Sequence, residues 1–278
     1  MVEYWFTTEV ERNYDANYWH NVFLEHWTDS FVYSAIYLIL VFAGRKVMQH
    51  RQKFDLHKVL AVWSGSMAVF SLIGFLRVFP KLLEEYNQGG WQRTLCDQSF
   101  MEGVSGFWSL AFTLSKVAEL FDTMFIVLRK QKLVFLHWYH HVTVLIYTWY
   151  AFTDGIPYGI YFHVMNYGIH ALMYSYYAIR ASRLVKIPVQ INIAITFLQL
   201  CQMIVGIYLN IYAYFKLENT KTCPVYYNNI YWSLAMYYTY FLLFSHFFYS
   251  TYMAPGKGKP ELKTEKVLHN GFVSKKLN

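Results

Sequence analysis

Residues 133–152 read LVFLHWYHHVTVLIYTWYAF, an apolar segment about as long as a helix that crosses a bilayer, at roughly 20 residues. His137, His140 and His141 are spaced i, i+3 and i+4, so a helix places them on one side. An ionisable residue inside a membrane segment marks a functional site by default. The segment therefore predicts a membrane helix whose histidine-bearing side faces a protein interior or a polar cavity.

The whole chain has the composition of a membrane protein. Of its 278 residues, 56% are hydrophobic and 21% aromatic, while charged residues make up 15%, against about 25% in soluble domains. Its apolar runs predict an all-α membrane protein with seven transmembrane helices. The predicted spans are about 31–48, 58–79, 106–128, 133–152, 157–179, 188–213 and 228–252.

The segments outside the seven-helix domain, which we place at 31–253, have separate predictions. Residues 1–30 are polar and acidic without an apolar signal-peptide core, and they predict a luminal N-terminal segment. Residues 254–278 are rich in Pro, Gly and Lys and predict a disordered cytosolic tail. Near its end, Lys275 and Lys276 resemble a retrieval signal of the endoplasmic reticulum.

The net charge of +7 follows the predicted topology and gives no reason to expect nucleic acid as a partner. With the N-terminus in the lumen, most of the 24 lysine and arginine residues fall in cytosolic segments, as the positive-inside rule requires. The C-terminus is then cytosolic. Basic residues at 129–132 and 180–186, among them Arg129, Lys130 and Arg180, fall on the same side, where they suit the phosphates of a ligand.

The three cysteines divide by their predicted position. Cys96 and Cys223 fall in luminal connections, where an oxidising compartment permits a disulfide, and we predict that they pair. Cys201 falls within the sixth span and is expected to be unpaired. It is an alternative acyl carrier, but it lies about 100° around its helix from the polar residues of that span.

Four predicted spans each carry polar residues at helical spacing, which in lipid must face one another or a cavity. The third span carries Lys116, Glu119, Asp122 and Thr123; the fourth the three histidines; the fifth Asn166, His170, Met173, Tyr174 and Tyr177; and the sixth Thr196, Gln199 and Gln202. The polar residues lie toward the cytosolic side, and aromatic residues follow beyond them. This predicts a chamber that opens to the cytosol and continues as an apolar tunnel.

Histidine clusters serve either metal binding or acid–base and nucleophilic chemistry. A membrane di-iron oxidase would need about eight histidines in several boxes, whereas this chain has one dense box. No metal is therefore expected. A neutral imidazole attacks a thioester readily and forms an acyl-imidazole that stays reactive, so nucleophilic catalysis fits the residues better. Asn166 and His170 could donate hydrogen bonds to a developing oxyanion.

The order of these motifs resembles the ELO family of very-long-chain fatty-acid elongases. The motifs are KxxExxDT from Lys116, HxxHH from His137, NxxxHxxMYxYY from Asn166 and TxxQxxQ from Thr196. The resemblance spans roughly residues 30–252, and the stretches around His137 and Asn166 are similar to the branch that prefers long-chain saturated and monounsaturated acyl groups.

The resemblance implies seven transmembrane helices, six of them around a substrate tunnel. It also implies condensation of acyl-CoA with malonyl-CoA to 3-oxoacyl-CoA, in the endoplasmic-reticulum membrane. It implies that His140 carries the acyl group, that His170 positions the thioester or enolate, and that His137 and His141 shape the site. The other polar residues of the four spans and the basic residues named above would bind substrate. No cofactor is expected beyond the two substrates. Expected partners are the bilayer and the reductases and dehydratase of the cycle; a homodimer is left open.

Two alternatives remain at this point. A metal-dependent lipid oxidase would also use a histidine box, and the histidine count disfavours it. A seven-helix transporter or receptor would account for the spans and a polar chamber. It would leave unexplained why a histidine box faces a Lys/Glu/Asp stripe near the cytosolic side.

Overall fold

The computed structural model describes Tyr4, residues 6–220 and residues 223–254, and it confirms the predicted all-α class. The helices are α1 (Glu9–Arg12), α2 (Ala16–His26), α3 (Asp29–Gln49), α4 (His57–Cys96), α5 (Gly103–Ala118), α6 (Phe121–Leu128), α7 (Phe135–Asp154), α8 (Gly159–Ser182), α9 (Val189–Thr220) and α10 (Tyr227–Phe248). A 3-10 turn at Ser99–Met101 and a π-helical turn at Tyr249–Met253 join them. The predicted tail beyond residue 254, with Lys275 and Lys276, lies outside the described residues.

Three of the described helices are long and apolar enough to cross a membrane by length and composition. They are Asp29–Gln49, His57–Cys96 and Val189–Asn219, with mean hydropathies of 1.6, 2.0 and 1.7. The other predicted spans coincide with α5–α6, α7, α8 and α10. The apolar helices define a multi-pass membrane protein.

The second span is longer than the sequence predicts. We expected it to end before Pro80, but α4 continues through Pro80 to Cys96. The backbone leaves helical geometry near Gly90, whose φ of +62° favours a residue without Cβ. Lys81 Nζ pairs with buried Glu85 at 2.7 Å on the extension. This ion pair helps to hold residues that the apolar pattern could not assign to a helix.

The third span is divided in two. Between α5 and α6 the backbone amides of Leu120, Asp122 and Thr123 donate to carbonyls three residues back. Hydrogen bonds of this spacing wind the chain more tightly than an α-helix. The tightening turns Asp122 and Thr123 away from the direction of Lys116 and Glu119, so the single predicted stripe becomes two groups with different partners.

The long helices pack as neighbours around one interior. α4 lies along α8, α9 lies along α10, and α3 rests on α6 and α7. The largest buried apolar cluster joins α7, α8, α9 and α10 through Tyr147, Phe162, Met203 and Tyr237. These four helices therefore enclose the region to which the fourth, fifth and sixth predicted stripes contribute.

The N-terminal segment is packed onto the bundle. The ring of Phe23 lies 5.1 Å from that of Trp149 and 4.5 Å from that of Phe152 at the end of α7. Glu11, which is 2% exposed, accepts a hydrogen bond from Trp108 Nε1 at 2.7 Å and pairs with Arg77 Nε at 3.1 Å. Glu11, one of the acidic residues that suggested a separate segment, thus contacts α4 and α5.

The predicted disulfide between Cys96 and Cys223 is present, with Cα atoms 4.8 Å apart, and it ties the end of α4 to the α9–α10 connection. Cys201 is unpaired within α9, as predicted. We call this end of the bundle the disulfide end. The opposite end, which carries Arg129 and Arg183, is called the basic end.

Candidate active site

A cavity of about 70 Å³ lies among α5, α7, α8, α9 and α10. His140, Asn166 and Gln202 contribute polar atoms to its wall. From there it extends toward the disulfide end, past Thr148 and Phe162, with a mostly apolar and aromatic lining. The lining of this cavity therefore combines polar residues beside His140 with apolar and aromatic residues beyond them.

The three histidines of α7 divide between two environments. Of the three, only His140 lines the cavity, with its ring 4.9 Å from that of Tyr240. His137 and His141, one helical turn apart, have ring centres separated by 4.5 Å on another side of the helix. Successive residues of an α-helix are about 100° apart, which separates His140 from His141. One imidazole therefore lines the cavity, and the other two lie behind it.

His137 belongs to a hydrogen-bonded chain that leads away from the cavity. Its Nε2 lies 2.9 Å from Thr123 Oγ1, which lies 2.8 Å from the hydroxyl of Tyr37. His141 is buried, and its Nδ1 has no hydrogen-bond partner among the described residues. This arrangement fixes the rotation of α7 against α3 and α6, and so the direction in which His140 points.

An ion pair buried between α5 and α8 orients the amide of Asn166. Lys116 Nζ donates to Glu119 Oε1 at 2.7 Å and to Asn166 Oδ1 at 3.1 Å, and His170 Nδ1 lies 3.6 Å from the same glutamate oxygen. Because an ammonium group can only donate, the oxygen of Asn166 must face Lys116. The amide NH₂ of Asn166 is then left to donate elsewhere from a residue that lines the cavity.

Asp122 forms a second group behind the cavity. Its two carboxylate oxygens accept hydrogen bonds from Trp63 Nε1 at 2.7 Å and from the hydroxyl of Tyr174 at 2.6 Å. The ring of Tyr174 lies 5.5 Å from that of His170. Tyr177, predicted beside it, is 43% exposed. The structure thus places Asp122 and Tyr174 near His170. Tyr177 lies at the periphery of the bundle.

The predicted stripe on α9 divides in the same way. Gln202 lines the cavity, whereas Gln199 Nε2 donates to Met173 Sδ at 3.5 Å. Thr196 donates to the carbonyl of Asn192 one turn back in its own helix. Cys201 is not among the residues that line the cavity.

The predicted basic residues gather at the basic end, away from the cavity lining. Arg129 is buried, and Lys130 Nζ donates to the carbonyls of Gln49 and Arg51, both at 3.2 Å. Arg180 Nη1 donates to the hydroxyl of Tyr176 at 2.8 Å. The contacts of Lys130 hold the connection between α3 and α4 against the end of α6, whereas the contact of Arg180 lies within α8.

Among the cavity-lining residues that sequence reasoning missed are His163 and Tyr240. His163 lies three residues before Asn166 on α8, so the helical stripe could have included it; its Nδ1 lies 3.1 Å from Ser109 Oγ. The hydroxyl of Tyr240 lies 2.6 Å from Thr143 Oγ1 and donates to the carbonyl of His140 at 3.2 Å. Among 26 tyrosines, nothing in the sequence distinguished Tyr240.

The described residues contain no group of three or more His, Cys, Asp or Glu side chains that could hold a metal ion.

Comparison with known proteins defines the class to which this membrane protein belongs. The profile of the ELO: GNS1/SUR4 family matches residues 22–260. Very long chain fatty acid elongase 6 of Rattus norvegicus is 45% identical over 260 residues, 92% of this chain and 96% of the relative. Very long chain fatty acid elongase 6 of Gallus gallus is 48% identical over 230 residues, which are 82% of this chain and 86% of the relative. Very long chain fatty acid elongase 6 of Drosophila melanogaster is 46% identical over 240 residues, which are 85% of this chain and 76% of the relative.

The protein is thus an enzyme of fatty acid chain elongation. The chain belongs to the ELO: GNS1/SUR4 family, and the resemblance found from its motifs is confirmed.

Proposed function

We propose that this enzyme condenses a long-chain acyl-CoA with malonyl-CoA and that His140 carries the acyl group between the two halves of the reaction. The observation that carries the proposal is that, of the three box histidines, only His140 lines the cavity, at the junction between its polar and apolar lining. The thioester would lie beside His140, with the acyl chain extending toward the disulfide end. Relatives named elongase 6 support the long-chain substrate class.

In the first half-reaction an imidazole nitrogen of His140 attacks the thioester carbonyl. A C–N bond forms, the C–S bond breaks, and CoA leaves as a thiolate that takes up the proton lost from the imidazole. Such covalent catalysis divides one difficult step into two easier ones. The amide NH₂ of Asn166 is placed to donate to the carbonyl oxygen as negative charge develops on it.

In the second half-reaction malonyl-CoA loses CO₂, and the electron pair of the broken C–C bond gives an enolate of acetyl-CoA. Its carbon attacks the acyl-imidazole, a C–C bond forms, and the C–N bond to His140 breaks. The departing imidazolate takes up a proton from solvent, so the products are CO₂, 3-oxoacyl-CoA and the neutral imidazole of His140. His170, held near Glu119 and Tyr174, would position the thioester or the enolate during this step.

The setting of the reaction follows from the same proposal. We place seven spans in the endoplasmic-reticulum membrane, with the disulfide end in the lumen and the basic end in the cytosol, because a disulfide forms in an oxidising compartment. CoA phosphates would approach Arg129, Lys130 and Arg180. The enzyme would need no cofactor beyond its substrates, and the reductases and dehydratase of the cycle would act on its product.

The test supplies purified enzyme with palmitoyl-CoA, with and without labelled malonyl-CoA, and detects both the acylated protein and 3-oxoacyl-CoA by mass. We expect an acyl adduct on His140 without malonyl-CoA, and its loss in His140→Ala together with the product. His246→Ala, an exposed histidine on α10 outside the cavity lining, serves as the matched control. An adduct that persists in well-folded His140→Ala would overturn the assignment.

A further inference from the structure

The cavity ends, toward the disulfide end, on four apolar side chains. Phe152 and Ile156 come from the end of α7 and the connection after it, whereas Phe100 and Met101 come from the 3-10 turn Ser99–Met101. Phe100 is 2% exposed and lies in a buried cluster with α4 and α8. Half of this wall is therefore built by a three-residue turn that belongs to none of the long helices.

Side-chain hydrogen bonds on two sides hold this turn in place. Ser99 Oγ donates to Glu85 Oε1 at 2.7 Å, which fixes the turn to the extension of α4. Gln98 Nε2 donates to the carbonyl of Gly155 at 2.7 Å, which fixes it to the connection between α7 and α8. Three residues before Ser99, the disulfide of Cys96 anchors the same segment to a third connection.

The turn has no room to retreat toward α5. A Cβ added at Gly106 would collide with the carbonyl of Met101, so the backbone of the turn already touches the start of that helix. Met101 also packs against the buried cluster that contains Phe23 and Phe152. The position of the wall is thus set by specific contacts and not by loose packing.

The length of α7 between His140 and this wall matches the length of a long acyl chain. Along α7, His140 and Phe152 are twelve residues apart, which is about 18 Å at a rise of 1.5 Å per residue. Carbon–carbon bonds of about 1.5 Å meeting near 111° advance roughly 1.25 Å per bond, so about fourteen bonds fit this length. Val144 and Thr148 line the cavity between these two residues.

We propose that the Ser99–Met101 turn is the end wall that limits the length of the acyl chain, and that the hydrogen bond from Ser99 to Glu85 sets its position. The inference rests on the proposed function, since it takes His140 as the start of the measured length. Phe100 and Met101 determine specificity by contact with the far end of the acyl chain. Ser99 and Glu85 are positioning residues that act through them.

The experiment measures condensation rates for saturated acyl-CoA substrates of every even length from lauroyl- to behenoyl-CoA. Phe100→Ala removes the ring from the wall and should shift the preferred length upward, with about a tenfold or larger rise in the rate ratio of longer to shorter substrates. Met101→Trp fills the same space and should shift the preferred length downward. Ser99→Ala should broaden the profile toward longer chains, with a smaller change in the rate ratio than Phe100→Ala produces.

Val78→Ala is the matched control, because Val78 lies in the same buried cluster as Phe100 but does not line the cavity. It should keep the wild-type length profile even if the total rate falls. Should Phe100→Ala fail to fold, Phe100→Leu and Met101→Trp carry the test. Active wild-type enzyme with unchanged profiles in Phe100→Ala and Met101→Trp overturns the inference, whereas inactive wild-type enzyme at every length overturns the proposed function.

Discussion

Lys116 Nζ lies 3.1 Å from Asn166 Oδ1, and this contact decides which way the amide of Asn166 faces. The same ammonium group neutralises Glu119, and both charged side chains are 2% exposed. A buried ion pair contributes little net stability once desolvation is counted, so stability alone does not explain it. Its consequence for the site is an amide donor that cannot rotate away from the cavity.

Asn166→Ala should therefore lower kcat for condensation by roughly 10²–10³, the effect of removing one oxyanion donor elsewhere. KM should change little, because the interaction strengthens as charge develops on the oxygen. Steady-state kinetics with acyl-CoA and malonyl-CoA check this. Asn192→Ala is the control, since Asn192 bonds the hydroxyl of Tyr252 outside the cavity lining. Equal losses in kcat for the two variants would contradict the role of Asn166.

Lys116→Met should destabilise the protein by about 3–5 kcal/mol, because it leaves the carboxylate of Glu119 buried without its partner. The double variant Lys116→Met/Glu119→Leu should cost clearly less than the sum of the two single changes. Thermal unfolding in detergent measures all three variants. Additive losses would show that the two charges do not depend on one another.

Thr123→Val should interrupt the chain from Tyr37 through Thr123 to His137 while keeping the shape of the side chain. We expect a loss of about 1–3 kcal/mol in stability, since two buried polar partners are left unsatisfied. Activity should fall, but far less than in His140→Ala, because His137 orients the helix and does not contact the cavity. Activity as low as in His140→Ala would instead place this chain in the chemistry itself.

The disulfide of Cys96 and Cys223 closes a sequence separation of 127 residues. Cys96→Ser/Cys223→Ser should lower the free energy of unfolding by about 2–5 kcal/mol, chiefly by freeing the unfolded chain. Unfolding of the wild-type protein with and without a reductant provides the comparison. Cys201→Ser, at an unpaired cysteine, is the matched control and should leave the unfolding temperature unaffected by this mechanism.

Glu11 should make the docking of the N-terminal segment dependent on pH. Burial by itself raises the pKa of its carboxyl, but hydrogen bonds from Thr8 and Trp108 and the charge of Arg77 outweigh it, so the pKa lies below its usual value. A depressed pKa stabilises the folded state above the ordinary carboxyl range, and that stabilisation is lost as the pH falls through the lowered pKa.

The protection of residues 8–26 against hydrogen exchange, taken relative to the intrinsic exchange rate at each pH, should accordingly fall in acid solution. The variant Glu11→Gln should show the lower protection already at neutral pH, with little further change in acid. An acid-induced loss of protection of the same size in Glu11→Gln would assign the effect to another group.

Much of the site was predictable because its residues recur at helical spacing. Apolar runs interrupted by Lys116, His140, Asn166 and Gln202 are unusual in lipid, and the requirement that such groups meet holds for any bundle. The disulfide was predictable for a related reason, since topology puts both cysteines on one side. What spacing could not give was the direction of each helix about its axis, and that direction separates His140 from His141.

The sequence by itself determined the helical class, the residues available for chemistry and the family, because hydropathy, spacing and motif order are properties of the chain alone. Only the tertiary structure decided that one histidine of three lines the cavity and that residues of the short turn Ser99–Met101 contribute to the same lining. Each of these depends on contacts between residues distant in sequence, such as Ser99 with Glu85 and Tyr240 with His140. Local pattern carries no record of such contacts, since they form only when the helices pack.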